Sequence, residues 1–398
     1  MKQLILKRVL MLSIIAAISV LSGCWNRREL NELGIIGAIA FDLENENIKM
    51  TYEIYKPKPI KESRGVSGEE RAKYVQSTGE SILDAVRNAT LKFDRKLFWP
   101  HIKAYIFSEE YARKGLMDYL DTFQRDHEAR SSVYLLIARG TPASEIMGIT
   151  GGIEEIPSNY IESLIKAQKA NSKTVLVNMR DFLDAYYSKG IQPIAGVVQI
   201  GKKARIGTVK NDGKEEYELI DEGAAVFLNE RMVGFLDGIE TRGLNFVTGK
   251  VKSGVIVSDT PDGRGVNSVE IIKAGSKNDV QIEGNHVKIT VKIDMEGMLG
   301  EEWGKIDLTK PDVFEEIEKA NSQVIKQQVE GVIKKVQEEY KSDIFGFGQT
   351  VHRKYPGEWK KMQALWDEIF SRADVIVETK TKITRSGLVS NPMRREKE

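Results

Sequence analysis

Ser163-Leu-Ile-Lys166 places a hydroxyl and an amine one helical turn apart, and Lys252-Ser253-Gly254 follows later in the chain. Spaced this way, a serine can attack a carbonyl while a lysine handles its proton, which is acyl-transfer chemistry. Two free positions in four make the first element weak, and no Ser-x-Asn element stands between the two. The other candidates are weaker still. The four histidines, His101, His127, His286 and His352, are scattered without ligand-spaced partners. There is no His-Glu-x-x-His and no cysteine pair, so no metal site is expected. Gly243 to Val251 imitates a phosphate loop but puts one residue too many between Gly243 and Gly249. It also sets Val251 where magnesium needs a hydroxyl. Gly346-Phe347-Gly348 is too short for a dinucleotide fingerprint and reads as a tight turn with two apolar side chains packed inward.

Cys24, the single cysteine, is the residue best placed for chemistry. Lys2, Lys7 and Arg8 form a positive start, Val9 to Leu21 is an apolar run, and Leu21-Ser22-Gly23-Cys24 closes it. A spanning helix needs about 20 apolar residues, so the run reads as the core of a signal peptide. Small residues before the cysteine match the bacterial lipobox, in which the thiolate is alkylated by diacylglycerol and cleavage makes Cys24 the new N-terminus. Acyl chains contribute about 0.8 kcal/mol per buried methylene, and two chains give a stable anchor. That lipid is the only attached group expected, with no other cofactor. Trp25, Arg27 and Arg28 follow at once and are expected to form a collar at headgroup level, indole in the interface and guanidiniums near anionic lipid.

The elements that must position such residues follow from the rest of the 398-residue chain, which is 41% hydrophobic and 29% charged, a globular composition. At roughly 100–200 residues per domain this is two or three domains. With 59 basic and 58 acidic residues the net charge is +1, and no basic stripe suggests nucleic acid. Strands are expected at Gly34–Asp42 and Ile48–Lys56, then alternating helices and strands to Ile200. Ser81–Phe93, Glu109–Ala129, Asn159–Ala170 and Met179–Lys189 are the helices. Glu222–Leu228 and Met232–Leu236 read as a hairpin across Asn229-Glu230-Arg231. Glu240 and Arg242 are expected in the turn after it, as a local charge pair or as a partner contact. Val287, Ile289, Val291 and Ile293 alternate with polar residues, the mark of an antiparallel strand with one wet face. Asp312–Lys341 and Glu358–Phe370 read as helices, the first with a stripe of Ile317, Ala320, Val324, Val332, Val336 and Tyr340.

The expected fold class is therefore α+β and multi-domain. Residues 1–23 are a lipoprotein-type signal peptide. Residues 24–205 form a mixed α/β N-terminal region of one or two subdomains. Residues 206–398 form a C-terminal α+β domain with a mainly antiparallel sheet and a long helix.

Several segments taken in order resemble one family. They are Cys24-Trp25-Asn26-Arg27-Arg28-Glu29-Leu30, Ala225-Val226-Phe227, Val233-Gly234, Glu240-Thr241-Arg242-Gly243, and Asp343-Ile344-Phe345-Gly346-Phe347-Gly348 before Trp359. Together they resemble the C subunits of spore nutrient-germinant receptors, the GerAC-type lipoproteins. The resemblance implies a non-enzymatic subunit on the outer surface of the inner spore membrane, acting with integral-membrane A and B subunits in nutrient sensing. It marks Glu240, Arg242, Gly243, Phe345, Gly346, Phe347 and Gly348 as partner contacts or structural positions. The alternatives are an extracytoplasmic solute-binding lipoprotein and, less favoured, a penicillin-recognising acyl enzyme built on Ser163.

Overall fold

Leu33–Glu44 is apolar at almost every position rather than at alternate ones, the pattern of a strand covered on both faces. In the computed structural model this strand, β1, lies inside a nine-stranded mixed sheet. The structure describes residues 3–8, 10–11, 13, 32–56, 71–125, 130–151, 153–203, 216–284, 286–303 and 311–385. Cys24, Trp25, Arg27 and Arg28 lie outside the described residues.

The first half supplies β2 (Asn47–Tyr55), β3 (Ala72–Gly79), α1 (Ile82–Ala89), β4 (Lys96–Phe98), β5 (Ala104–Ser108), α2 (Glu109–Lys114), α3 (Met117–Arg125), β6 (Tyr134–Ala138), α4 (Ala143–Ile146), α5 (Pro157–Ala167), α6 (Met179–Tyr187) and β7 (Ile194–Lys202). Next come β8 (Tyr217–Leu228), β9 (Arg231–Leu236) and α7 (Gly238–Val247). The large sheet runs β3-β2-β1-β5-β6-β7-β8-β9, with β4 beside the start of β1. Successive side chains of a strand point to opposite faces, and the core divides accordingly. Ile39, Phe41, Tyr105, Phe107, Leu135 and Ile137 enter the main core. Ala38, Ala40, Ala104, Ile106, Leu136 and Ala138 face a second layer formed with α4 and α5.

A smaller sheet follows, β10 (Val255–Asp259), β11 (Val266–Glu283), β12 (His286–Glu302) and β13 (Asp374–Arg385), in that order. Between β12 and β13 come α8 (Pro311–Lys335), α9 (Phe347–Lys354), α10 (Pro356–Met362) and α11 (Trp366–Ser371). Val287, Ile289, Val291, Ile293 and Met295 of β12 are buried in the same core cluster as Ile317, Ile325, Val329 and Val332 of α8. That cluster also contains the main core of the large sheet, so one apolar interior serves both.

The fold is α+β, as the sequence predicts, but three local expectations are corrected. Glu109–Ala129 is not one helix: α2 ends at Gly115, whose φ of 128° lies outside the helical region, and the chain restarts as α3. The stretch after β9 is helix α7 rather than a turn. The buried stripe of α8 runs through Asn321, Ile325 and Val329, leaving Ala320 and Val324 on its flank. The small sheet is mainly antiparallel, as expected: β10, β11 and β12 pair antiparallel in turn, and β13 joins parallel to β12, because the helices between them carry the chain back to the same end of the sheet. A division at 205/206 falls between β7 and β8, which pair with each other antiparallel.

Candidate functional site

The family-motif residues fall into two buried tie-points that flank a cleft. The first is α7. Asp237 caps it, its carboxylate accepting the Glu240 amide at 2.8 Å, while Glu240 accepts the Asp237 amide at 2.8 Å, a reciprocal capping box. Glu240 also accepts two bonds from Lys335 Nζ of α8, at 3.0 and 2.8 Å. Burial lowers the Lys335 pKa, but the Glu240 carboxylate more than offsets it and holds the amine above its ordinary value.

Arg242 does not pair with Glu240. Residues two apart on a helix face different ways, so the expected fork cannot form within α7. The Arg242 guanidinium is buried and turns to α8 and the small sheet, donating to Gln328 Oε1 at 3.1 Å and to the Val255 carbonyl at 2.9 Å. Burial depresses its pKa. Gly243 lies against α8 so closely that a Cβ would stand 2.6 Å from the Gln328 carbonyl and 2.9 Å from Val332 Cγ1. Asn245 donates to the carbonyls of Ser172 and Thr174, at 3.0 and 2.9 Å. One helix thus ties together α8, the small sheet and the first half of the chain.

Asp343 is the second tie-point. Its fully buried carboxylate accepts the amides of Phe345, Gly346, Phe347 and Gly348 at 2.8–3.2 Å and the Trp366 indole N–H at 2.9 Å. Burial pushes its pKa up to about 6, against the pull of these donors. Gly346 takes the left-handed φ of 78° that the turn requires. Gly348 meets Gly190 back to back: a Cβ on Gly348 would come within 2.6 Å of Gly190 Cα and of Trp366 Nε1. Gln192 donates its amide to the Asp343 carbonyl at 2.8 Å, fastening the turn to the segment before β7. Phe345 and Phe347 pack inward at 5.2 Å between centroids, as the expected tight turn requires.

The two tie-points meet at a cleft of about 470 Å³, walled by Val247 and Thr248 from the end of α7 and by Ile344, Phe345 and Gly346. The structure does not assemble acyl-transfer chemistry at Ser163. That side chain is exposed on α5, and Lys166 donates to Glu162 at 2.6 Å. This bond raises the lysine pKa, the opposite of what a proton-accepting amine needs. Ser253 offers its carbonyl to Ser172 Oγ at 2.7 Å. Among the described residues there is no cluster of three or more His, Cys, Asp or Glu side chains fit for a metal, and no helix long and apolar enough to cross a membrane.

Sequence reasoning missed two buried carboxylates of the large sheet. Glu53 accepts Ser158 Oγ at 2.5 Å and the Ser158 amide at 3.1 Å, at the N-terminus of α5. Asp42 accepts the amides of Ala143 and Ser144 at 2.7 and 3.0 Å, at the start of α4. Glu53 is hidden because alternation in β2 reads its polar positions as wet, and Asp42 because the helix it caps is distant in sequence.

Comparison with known proteins agrees with this architecture. The family described as "Spore germination protein N-terminal domain" matches residues 26–200, and that described as "Spore germination B3/ GerAC like, C-terminal" matches residues 222–387. Spore germination protein KC of Bacillus subtilis (strain 168) is 28% identical over 401 residues, covering 98% of each chain. Spore germination protein B3 of the same organism is 28% identical over 376 residues, covering 93% of this chain and 95% of its own. The crystal structure of the GerBC protein superposes with a TM-score of 0.55 at 23% identity, over 87% of this chain and 96% of that one. The chain is thus a two-sheet α+β protein of the spore-germination class. It belongs to the GerAC family, the germinant-receptor C subunits.

Proposed function

We propose that the protein is a non-enzymatic subunit of a spore nutrient-germinant receptor. It is held by diacylglycerol on Cys24 at the outer surface of the cytoplasmic (inner spore) membrane, and it docks on integral-membrane A and B subunits. The observation that carries this is likeness along both halves of the chain to proteins named for spore germination, two of them nearly end to end. The fate of the motif residues supports a scaffold. Arg242, Gly243, Asp343 and Phe347 are consumed by bonds and packing inside the chain, so the motif holds the sheets in fixed relation and leaves the outer surface for partners. Trp25, Arg27 and Arg28 would then sit at headgroup level beside the anchor.

Cys24→Ala tests the anchor in spores. The variant should leave the membrane fraction or accumulate as unprocessed precursor, and co-purification with the A and B subunits should fall with it. Normal processing, membrane retention and nutrient response in the variant would rule the lipid anchor out.

A further inference from the structure

The cleft between the two tie-points carries charge that the fold does not use. Its floor is apolar, made by Val177, Ile191, Ile194, Val247, Ile344 and Phe345. Its rim carries Lys250 just after α7, Lys277 on β11 and Arg353 on α9, with Asp181 on α6 as the one carboxylate. Three cations against one anion leave a net of +2 around a single concavity. Asp181 is already engaged, its Oδ2 accepting the Asn178 amide at 3.2 Å in the capping box of α6. Asp279, whose carboxylate feels the charge of Lys277, is bonded to Lys354 at 2.7 Å. The ammonium groups of Lys250 and Lys277 have no hydrogen-bond or ion-pair partner among the described residues, and the one side-chain bond of Arg353 is to Thr350 Oγ1 at 3.2 Å. Lys335, Lys103 and Lys354, by contrast, are paired with Glu240, Glu162 and Asp279.

Like charges gathered over a low-dielectric floor repel one another, and they concentrate positive potential inside the cleft. An anion relieves that repulsion, and the apolar floor favours one that brings apolar surface with it. The volume falls in the range of small-molecule sites, roughly 300–1,000 Å³. We propose that this cleft binds a small organic carboxylate with an apolar body: the floor takes the body, and Lys250, Lys277 and Arg353 take the carboxylate. The site draws on both halves of the chain, since α6 and the segment before β7 supply one wall and the second half supplies the rest. It goes beyond the receptor-subunit proposal and is tested without it.

The test is isothermal titration of the full chain in non-ionic detergent, at low ionic strength and against a detergent blank. The probes are benzoate, benzamide and inorganic phosphate. Benzoate should bind saturably and about tenfold or more tighter than benzamide, which has the same shape without the charge; tenfold corresponds to about 1.4 kcal/mol. The double variant Lys250→Gln/Lys277→Gln, changed only at exposed side chains, should lose about tenfold in benzoate affinity with an unaltered melting temperature. The proposal is overturned by any of four results: no saturable benzoate binding, equal affinity for benzamide, full affinity in the double variant, or phosphate binding as well as benzoate. The last would make the cleft a general anion trap in which the apolar floor plays no part.

Discussion

Arg242 shows how far the role of one residue depends on what surrounds it. Its planar guanidinium reaches Gln328 and the Val255 carbonyl at once, which a lysine ammonium on a flexible stem cannot match. Arg242→Lys should therefore cost about 1.5–3 kcal/mol, the scale of a hydrogen bond to a buried charged group. The check is thermal unfolding, where the melting temperature should fall. An unchanged melting temperature with loss of partner co-purification would instead place Arg242 at an interface. A second residue-scale prediction concerns pH. Burial pushes Glu53 up to about 7 and Asp221 and Asp343 up to about 6, each above its ordinary carboxyl value. Between those ordinary values and the raised ones, the native state holds more protons than the unfolded chain, so stability is lost as pH rises through the window. The melting temperature should fall between about pH 4 and pH 7, and Glu53→Gln should flatten that slope; a flat or rising wild-type profile contradicts it. The motif positions were legible in the sequence, but their burial was not. Two-residue alternation in β2 marks Lys49, Thr51 and Glu53 as facing water, because alternation cannot reveal that a helix covers the second face.

At the scale of elements, the helices divide by how their first turns are satisfied. α1, α2, α6 and α7 carry their own N-cap side chains, Ser81, Ser108, Asn178 and Asp237. α4, α5 and α9 begin after Pro142, Ile156 and Gly346, none of which caps with a side chain. Their free amides are met by Asp42, Glu53 and Asp343 respectively. Local capping can be read from sequence, whereas a cap supplied from a neighbouring strand cannot. This is why Asp42 and Glu53 escaped notice. α7 is the opposite case. Its Asp237-x-x-Glu240 box is a start signal, overlooked because Gly238 and Gly243 suggest a turn. Those glycines serve close approach instead. Gly243→Ala gains about 1 kcal/mol of helix propensity, yet the added methyl meets the Gln328 carbonyl at 2.6 Å, which cannot swing aside as a side chain would. A net loss of about 1–3 kcal/mol is expected from overpacking, read as a lower denaturant midpoint. A more stable variant would show that α7 and α8 are not locked at this spacing.

Over the whole molecule, the boundary expected at 205/206 falls between two strands that pair within one sheet. The large sheet draws β1–β7 from one side of that point and β8 and β9 from the other, and one core runs on into the small sheet. Strand pairing of this kind is invisible to segment-by-segment reading, because each strand satisfies its own periodicity whichever neighbour it finds. A fragment ending at residue 205 would leave the outer edge of β7 unpaired and strip the main core of α7 and α8. Such an edge is a template for association. The fragment should aggregate or unfold without a cooperative transition, as followed by circular dichroism and light scattering, while the chain from residue 25 onward unfolds cooperatively. A soluble, cooperatively melting fragment would mean that the halves fold alone. The position of β8 has a further bearing on biogenesis. A polypeptide emerging N-terminus first displays β1–β7 before their closing strand exists, and β12 likewise waits for β13, near the end of the described chain. Non-local pairings of this sort form slowly. The nascent chain therefore stays pliable until nearly all of it is available, which exposes apolar segments along the way. It will depend on holding factors to keep those segments from one another until the last strand arrives.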